Sequence, residues 1–123
     1  MDRHAMIIDS LKDWINSNIN KNIKIEDVAK KAGYSRWHLQ RVFNKVTNQS
    51  LANYIRNKKL ELAAKDLLES NDSIMEISMK YGFDSQQSFT RIFSRRYRQP
   101  PATFRKSHSP ANESSKKMMN HFL

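Results

Sequence analysis

The chain has 123 residues, with 22 Lys and Arg against 12 Asp and Glu and a formal net charge of +10, a length that allows one or two small lobes and no elaborate substrate pocket. Charge of that sign is the electrostatic footprint of a protein that meets a polyanion, nucleic acid first and an anionic membrane surface second, with plain solubility as the ordinary alternative. Cysteine is absent, which excludes disulfides, thiolate catalysis and thiolate metal sites.

Residues 1–9 hold no signal-peptide apolar stretch, and no later run approaches membrane-spanning length, so a cytoplasmic protein with no membrane partner is expected. Strand signals are few and apolar residues recur at helical spacing from end to end, so the expected fold class is all-α. Ile7, Ile8, Leu11, Trp14, Ile15 and Ile19 form a stripe on a first helix of about four turns. Asn18, Asn20 and Asn22 punctuate its end. A short second helix follows from Ile25 to Ala32, with Glu26 and Asp27 favourably placed in its first turn. The third is expected from Arg36 to about Val46, after which Asn48 suits a left-handed cap and Ser50 can open the next helix.

From Leu51 to Glu69 there is neither glycine nor proline, which predicts one long connecting helix with Leu51, Tyr54, Ile55, Leu62, Ala63 and Leu67 available to pack. Its basic stretch Arg56, Lys58 and Lys59 suits DNA phosphates or a solvated face. Ser70 to Ser73 breaks that helix, and Ser73 with Glu76 has capping-box spacing for a fifth. The sixth is expected from Ser85 to about Tyr97, with Asp84 and Gln87 in the same box spacing. Pro100 and Pro101 stop it, and Pro101 suits the first position of a short final helix through Phe104. The polar stretch beyond Arg105 makes 107–123 an expected disordered tail, with Met118, Met119, Phe122 and Leu123 either frayed or a weak docking motif.

Two phrases in this succession repeat. The chain's two glycines lie in Lys31-Ala32-Gly33-Tyr34-Ser35 and, 49 positions later, in Lys80-Tyr81-Gly82-Phe83-Asp84. Ile25, Val28 and Gly33 align with Ile74, Ile77 and Gly82 at that offset, and Leu39, Arg41, Val42 and Phe43 align with Phe89, Arg91, Ile92 and Phe93 at 50, so one residue has been added just after the second glycine. Each copy is spaced as a helix-turn-helix. A small residue, Ala29 or Ser78, lets two helices cross closely; glycine takes the left-handed turn; Ser35 or Asp84 caps the following helix. Leu39 and Val42, like Phe89 and Ile92, turn one face of that helix inward and leave the other outward, where such a motif reads the DNA major groove. The expected organisation is a helix-turn-helix subdomain over 5–49, the connecting helix over 50–69 and a second helix-turn-helix subdomain over 70–106, about seven helices in all.

The outward positions are Arg36, Trp37, Gln40 and Arg41 on the third helix and Gln86, Gln87, Ser88, Thr90 and Arg91 on the sixth. Arginine can grip guanine O6 and N7, glutamine can bond to adenine, and threonine or tryptophan can pack on a thymine methyl. Trp37 also suits burial against a neighbouring helix, and Arg41 and Arg91, at equivalent positions, suit a phosphate clamp or a structural ion pair as well as base reading. Ser35, Arg36, Arg56, Lys59, Ser85 and Arg95 are the candidate phosphate contacts.

The wording of Gly33 to Arg41 and of Tyr81 to Arg91, followed by Pro100-Pro101 and Phe104-Arg105, resembles the AraC/XylS family of bacterial transcription activators, in particular its small stand-alone subgroup of MarA, SoxS, Rob and RamA type. The resemblance covers Ile7 to Arg105. It implies a seven-helix fold that binds an asymmetric promoter site as a monomer. It also implies recruitment of RNA polymerase, through the C-terminal domain of its α-subunit, at multidrug-resistance and stress genes. The family's base-contacting positions fall on Trp37, Gln40, Arg41, Gln86, Gln87, Thr90 and Arg91. With no room for an effector domain, control by the amount of protein rather than by a small molecule is implied. Two positions depart from the pattern: Asn44 and Ser94 stand where lysine is common, and Arg98 stands where many members have glycine.

Repression or architectural packaging of DNA, and a module whose outward faces bind protein, are the competing readings. An enzyme is not expected. His4, His38, His108 and His121 lack metal-ligand spacing, there is no phosphate-binding glycine loop, and no serine stands in a nucleophile context, so neither cofactor nor metal is expected.

Overall fold

The computed structural model describes residues 2–108. They form seven α-helices: α1 (Arg3–Asn18), continued by a 3-10 turn over Ile19–Lys21, α2 (Ile25–Ala32), α3 (Arg36–Thr47), α4 (Leu51–Glu69), α5 (Ile74–Lys80), α6 (Gln86–Tyr97) and α7 (Pro101–Ser107). No described helix is long and apolar enough to cross a membrane. The chain divides into two compact units between Lys59 and Leu60, inside α4.

In the first unit α1 packs on α2 and α3, which pack on each other. Ile8, Leu11, Ile15 and Ile19 of the expected stripe are buried, whereas Ile7 and Trp14 at its edge are half-buried. They share the interior with Val28, Ala29, Leu39, Val42 and Phe43, and with Leu51, Tyr54 and Ile55 from the start of α4. The interior is mostly aliphatic; the Phe43 and Tyr54 rings meet edge-on at 5.4 Å, and the Tyr54 hydroxyl donates to Asn16 Oδ1 at 3.3 Å.

Aromatic side chains dominate the second unit. Leu60, Ala63, Ala64 and Leu67 from the end of α4 pack with Ile77, Tyr81, Phe89, Phe93 and Phe104, while Ile74, Phe83, Ile92 and Tyr97 lie half-buried against them. The Phe93 ring sits 5.6 Å from Phe89, 5.3 Å from Phe104 and 4.5 Å from Tyr97, separations at which aromatic pairs attract beyond the area they bury. Ile92, expected inward, packs half-buried against this cluster, while Phe93, like its repeat partner Phe43, is fully buried. Asp66 accepts from the Tyr81 hydroxyl at 2.7 Å and from Lys80 Nζ at 3.0 Å. Burial first, then the Asp66 hydrogen bond and charge, push the Tyr81 phenol well above its usual range, so it stays a donor.

Both glycines take the left-handed turn, Gly33 at φ 76° and Gly82 at φ 75°. A Cβ at Gly33 would meet nothing within 4 Å, so conformation alone asks for glycine there. Each turn closes with the same pair of backbone bonds, Tyr34 N–H to Ala29 O and Gly33 N–H to Lys30 O, then Phe83 N–H to Ser78 O and Gly82 N–H to Met79 O, the Schellman arrangement. The small residues are buried as expected, and the Ser78 hydroxyl donates to Met75 O at 2.7 Å, which satisfies it inside its own helix.

Three details differ from expectation. The cap of α6 is Ser85, not Asp84: Ser85 Oγ accepts from Ser88 N–H at 3.0 Å, as Ser35 Oγ accepts from His38 N–H at 3.1 Å. The residue added after Gly82 shifts the register, so the partner of Ser35 lies 50 positions on, not 49. α7 runs to Ser107 with His108 as its cap, so the first two residues of the expected tail are structured, and the rest of that tail lies outside the described residues. Leu60, absent from the expected packing set of α4, is 1% exposed.

The repeat reaches further than its two helices. Leu51 and Tyr54 are matched 50 positions later by Pro101 and Phe104, all four buried, so the start of α4 closes the first unit as α7 closes the second. The left-handed residue that ends α3 is Asn48, at φ 59°, and the one that ends α6 is Arg98, at φ 63°.

Two stability predictions rest on these helix ends. Asparagine takes the left-handed region at lower cost than arginine, so Arg98→Gly is expected to raise unfolding stability by about 0.5–1 kcal/mol, the strain removed less the added glycine entropy; a lower urea midpoint would contradict it. Arg105 donates from Nε to Leu67 O at 2.9 Å and from Nη2 to Ser70 O at 3.3 Å, closing the carbonyl end of α4. Arg105→Ala is expected to cost about 1–3 kcal/mol in the same titration, and a loss below about 0.5 kcal/mol, the size of an ordinary surface substitution, would show the cap to be idle.

Candidate nucleic-acid interface

α3 and α6 are each held by a serine cap at the start and a left-handed residue at the end, with one face buried. Their remaining faces carry the sequence-selected side chains. On α3, Arg36, Trp37, Gln40 and Arg41 are all exposed; on α6, Gln86, Gln87 and Arg91 are exposed, while Ser88 and Thr90 are half-buried. Ser85, Gln86, Gln87, Ser88, Thr90 and Arg91 line one shallow groove at the opening of α6. Trp37, Arg41 and Lys45 line another beside α3, together with Ser35, His38, Val42, Val46 and the start of α1 at Asp2, His4 and Ala5.

Trp37 is 66% exposed, so it is not buried against a neighbouring helix. Its ring is covered in part by the Arg41 guanidinium, whose carbon lies 5.1 Å from the ring centroid. Neither Arg41 nor Arg91 enters an ion pair among the described residues, which removes the structural ion pair as their shared role. Their N–H donors are unspent.

The candidate phosphate contacts divide. Ser35 and Ser85 are exposed caps, so their oxygens are already engaged with backbone N–H groups. Arg36 is held by Glu26 of α2 at 2.6 Å, a bond between two exposed side chains. Arg56 Nη2 donates to Asn53 Oδ1 at 2.6 Å. Lys59 is half-buried, and that burial lowers its pKa, an environment that works against charge. Arg95 is exposed and lies one turn beyond Arg91.

Sequence reasoning passed over Lys45. It stands one turn beyond Arg41 and aligns with Arg95 at the same offset of 50, so α3 and α6 each carry a basic pair, Arg41 with Lys45 and Arg91 with Arg95, at i, i+4 spacing. Sequence reasoning also passed over the aromatic contacts that tie α1 to the turn before α3: His4 Nδ1 and the Tyr34 hydroxyl share a 3.1 Å hydrogen bond, and Tyr34 lies 4.7 Å from the His38 ring.

Comparison with known proteins gives this surface its context. Residues 28–107 match the helix-turn-helix domain family. The chain is 39% identical over 118 residues to the multiple antibiotic resistance protein MarA of Escherichia coli strain K12, covering 96% of this chain and 93% of that one. It is 44% identical over 102 residues to the regulatory protein SoxS of Salmonella typhimurium strain LT2, covering 83% of this chain and 95% of that one. The fold is shared with the DNA-binding domain of the global transcriptional factor AdpA, whose crystal structure is in complex with a target DNA, at a TM-score of 0.74 and 22% identity over 88% of this chain and 94% of that one. With two capped helices presenting polar outer faces and relatives of this kind along most of its length, the chain belongs to the AraC-type helix-turn-helix family of DNA-binding transcription regulators and is not an enzyme.

Proposed function

We propose that this regulator is an activator that binds an asymmetric promoter site as a monomer, places α3 and α6 in successive major grooves about 34 Å apart, and recruits RNA polymerase through the C-terminal domain of its α-subunit. The observation that carries the reading is one chain with two unlike outer faces, Trp37-Gln40-Arg41 on α3 and Gln86-Gln87-Thr90-Arg91 on α6, each presented by a capped helix. Unlike readers on one chain favour a non-palindromic site.

In this reading Arg41 and Arg91 grip guanine, Gln40, Gln86 and Gln87 bond to adenine, and Trp37 and Thr90 pack on thymine methyls, with Ser88 at the edge of the same groove. Arg95, with Lys45, serves the phosphates most directly. Ser35, Ser85 and Arg56 do so from their present positions, Arg36 after leaving Glu26, and Lys59 at a cost in desolvation. Resistance genes as targets are suggested by the relative named for multiple antibiotic resistance. Stress genes, the polymerase contact, a bacterial cytoplasmic and nucleoid location, and control by protein amount without a small-molecule effector rest on the resemblance to the small stand-alone subgroup. Whether a given site activates or represses is decided by its place relative to polymerase.

The test is selection of random duplexes by the purified protein, by Arg41→Ala and by Arg91→Ala, across salt. The expected product is an asymmetric site with two blocks one helical turn apart, each blurred by one substitution, and a log-log salt slope of about −0.9 per neutralised phosphate. An enriched palindrome, or no motif, would sink the bipartite monomer. On a promoter carrying the selected site, transcription by polymerase holoenzyme is expected to rise with the protein and to lose that rise when the C-terminal domain is removed from the polymerase α-subunit.

A further inference from the structure

We propose that Trp37 is a positioning residue for Arg41: the exposed indole holds the guanidinium over its face and so aims the in-plane N–H donors of Arg41 at one base pair. This rests on the reading of Arg41 as a base contact. The two side chains are four apart on α3, where helix geometry brings side chains onto one face. The guanidinium carbon lies over the ring, 5.1 Å from its centroid, within cation–π range.

Stacking uses the flat face of a guanidinium and leaves its rim of donors free, and guanine O6 and N7 ask for that planar fork. Arg41 makes no hydrogen bond or ion pair among the described residues, so the indole is what holds it. An arginine already held in one arrangement loses less rotamer freedom on binding than a free one. The second copy gives an internal contrast, because the position equivalent to Trp37 is Gln87 and, among the described residues, no ring lies under Arg91. A tryptophan left 66% exposed beside a well-filled interior also calls for a reason other than packing.

The experiment measures affinity for the selected site and for each single base-pair replacement in the block read by α3, with wild type, Trp37→Ala, Trp37→Phe, Arg41→Ala and the double alanine variant. Arg41→Ala is expected to lose about tenfold or more of the discrimination at one G·C pair. Trp37→Ala should lose most of the same discrimination at the same pair, Trp37→Phe should retain much of it, and the double variant should be no worse there than Arg41→Ala. In the free protein, the Arg41 side-chain NMR signals should carry a ring-current shift that Trp37→Ala abolishes. Additive losses at the G·C pair, a Trp37→Ala loss confined to a different base pair and so to the thymine contact alone, or an absent ring-current shift overturns the positioning role alone. A flat profile for Arg41→Ala overturns the base reading and the positioning with it.

Discussion

The left-handed turns at Gly33 and Gly82 are the constraint on which both units depend. A helix of eight residues or fewer has little stability of its own, so α2 and α5 act by being stopped in the right place. The paired backbone bonds at each turn satisfy carbonyls that would otherwise end unpaired and send the chain back across its own helix. That crossing is close only because Ala29 and Ser78 are small, and only a close crossing lets Leu39 and Phe89 reach full burial. Once those inward positions are fixed, the outward face of each recognition helix is fixed as well.

Each unit solves the same geometry with different material. The first fills its interior with Ile, Leu and Val around Phe43, while the second stacks Phe83, Phe89, Phe93, Tyr97 and Phe104. The third wall is α4 in one and α7 in the other, from positions matched at one offset. A single α4 therefore contributes Leu51, Tyr54 and Ile55 to one interior and Leu60, Ala63 and Leu67 to the other. Proline at the equivalent of Leu51 shows how little the closing helix needs to be: Pro101 opens α7 with no donor to lose and is itself buried.

The helices and their outward faces were legible because they depend on periodicity and on residues with strong local preferences. Asn48 and Ser50 could be assigned from their chemistry, as could Pro101. The cap of α6 is ambiguous in the sequence because Asp84 and Ser85 are both good caps locally, and only the register of the repeat selects Ser85. Glu26 with Arg36, Glu61 with Arg96, and Asp66 with Lys80 and Tyr81 could not be read at all, since each joins residues 10 to 35 positions apart through a crossing whose detail no local pattern carries. The Trp37–Arg41 stack lies within reach of an i, i+4 rule, yet the competing expectation that tryptophan is buried concealed it.

Those pairings bear on what a charge of +10 means. Net charge attracts a polyanion without direction, and exposed ion pairs contribute little to stability. What they do is sort the cations: Arg36, Arg96 and Lys80 are held by carboxylates beside the recognition helices, whereas Arg41, Lys45, Arg91 and Arg95 are left unpaired among the described residues. The free cations stand at equivalent positions of the two copies, on the outer faces that the buried residues define. Total charge sets how strongly such a chain meets DNA at a given salt. In the proposed reading, the donors left unspent on α3 and α6 are what make the meeting depend on sequence, because a donor with no partner in the free protein gains a full hydrogen bond from the right base and forfeits it with the wrong one.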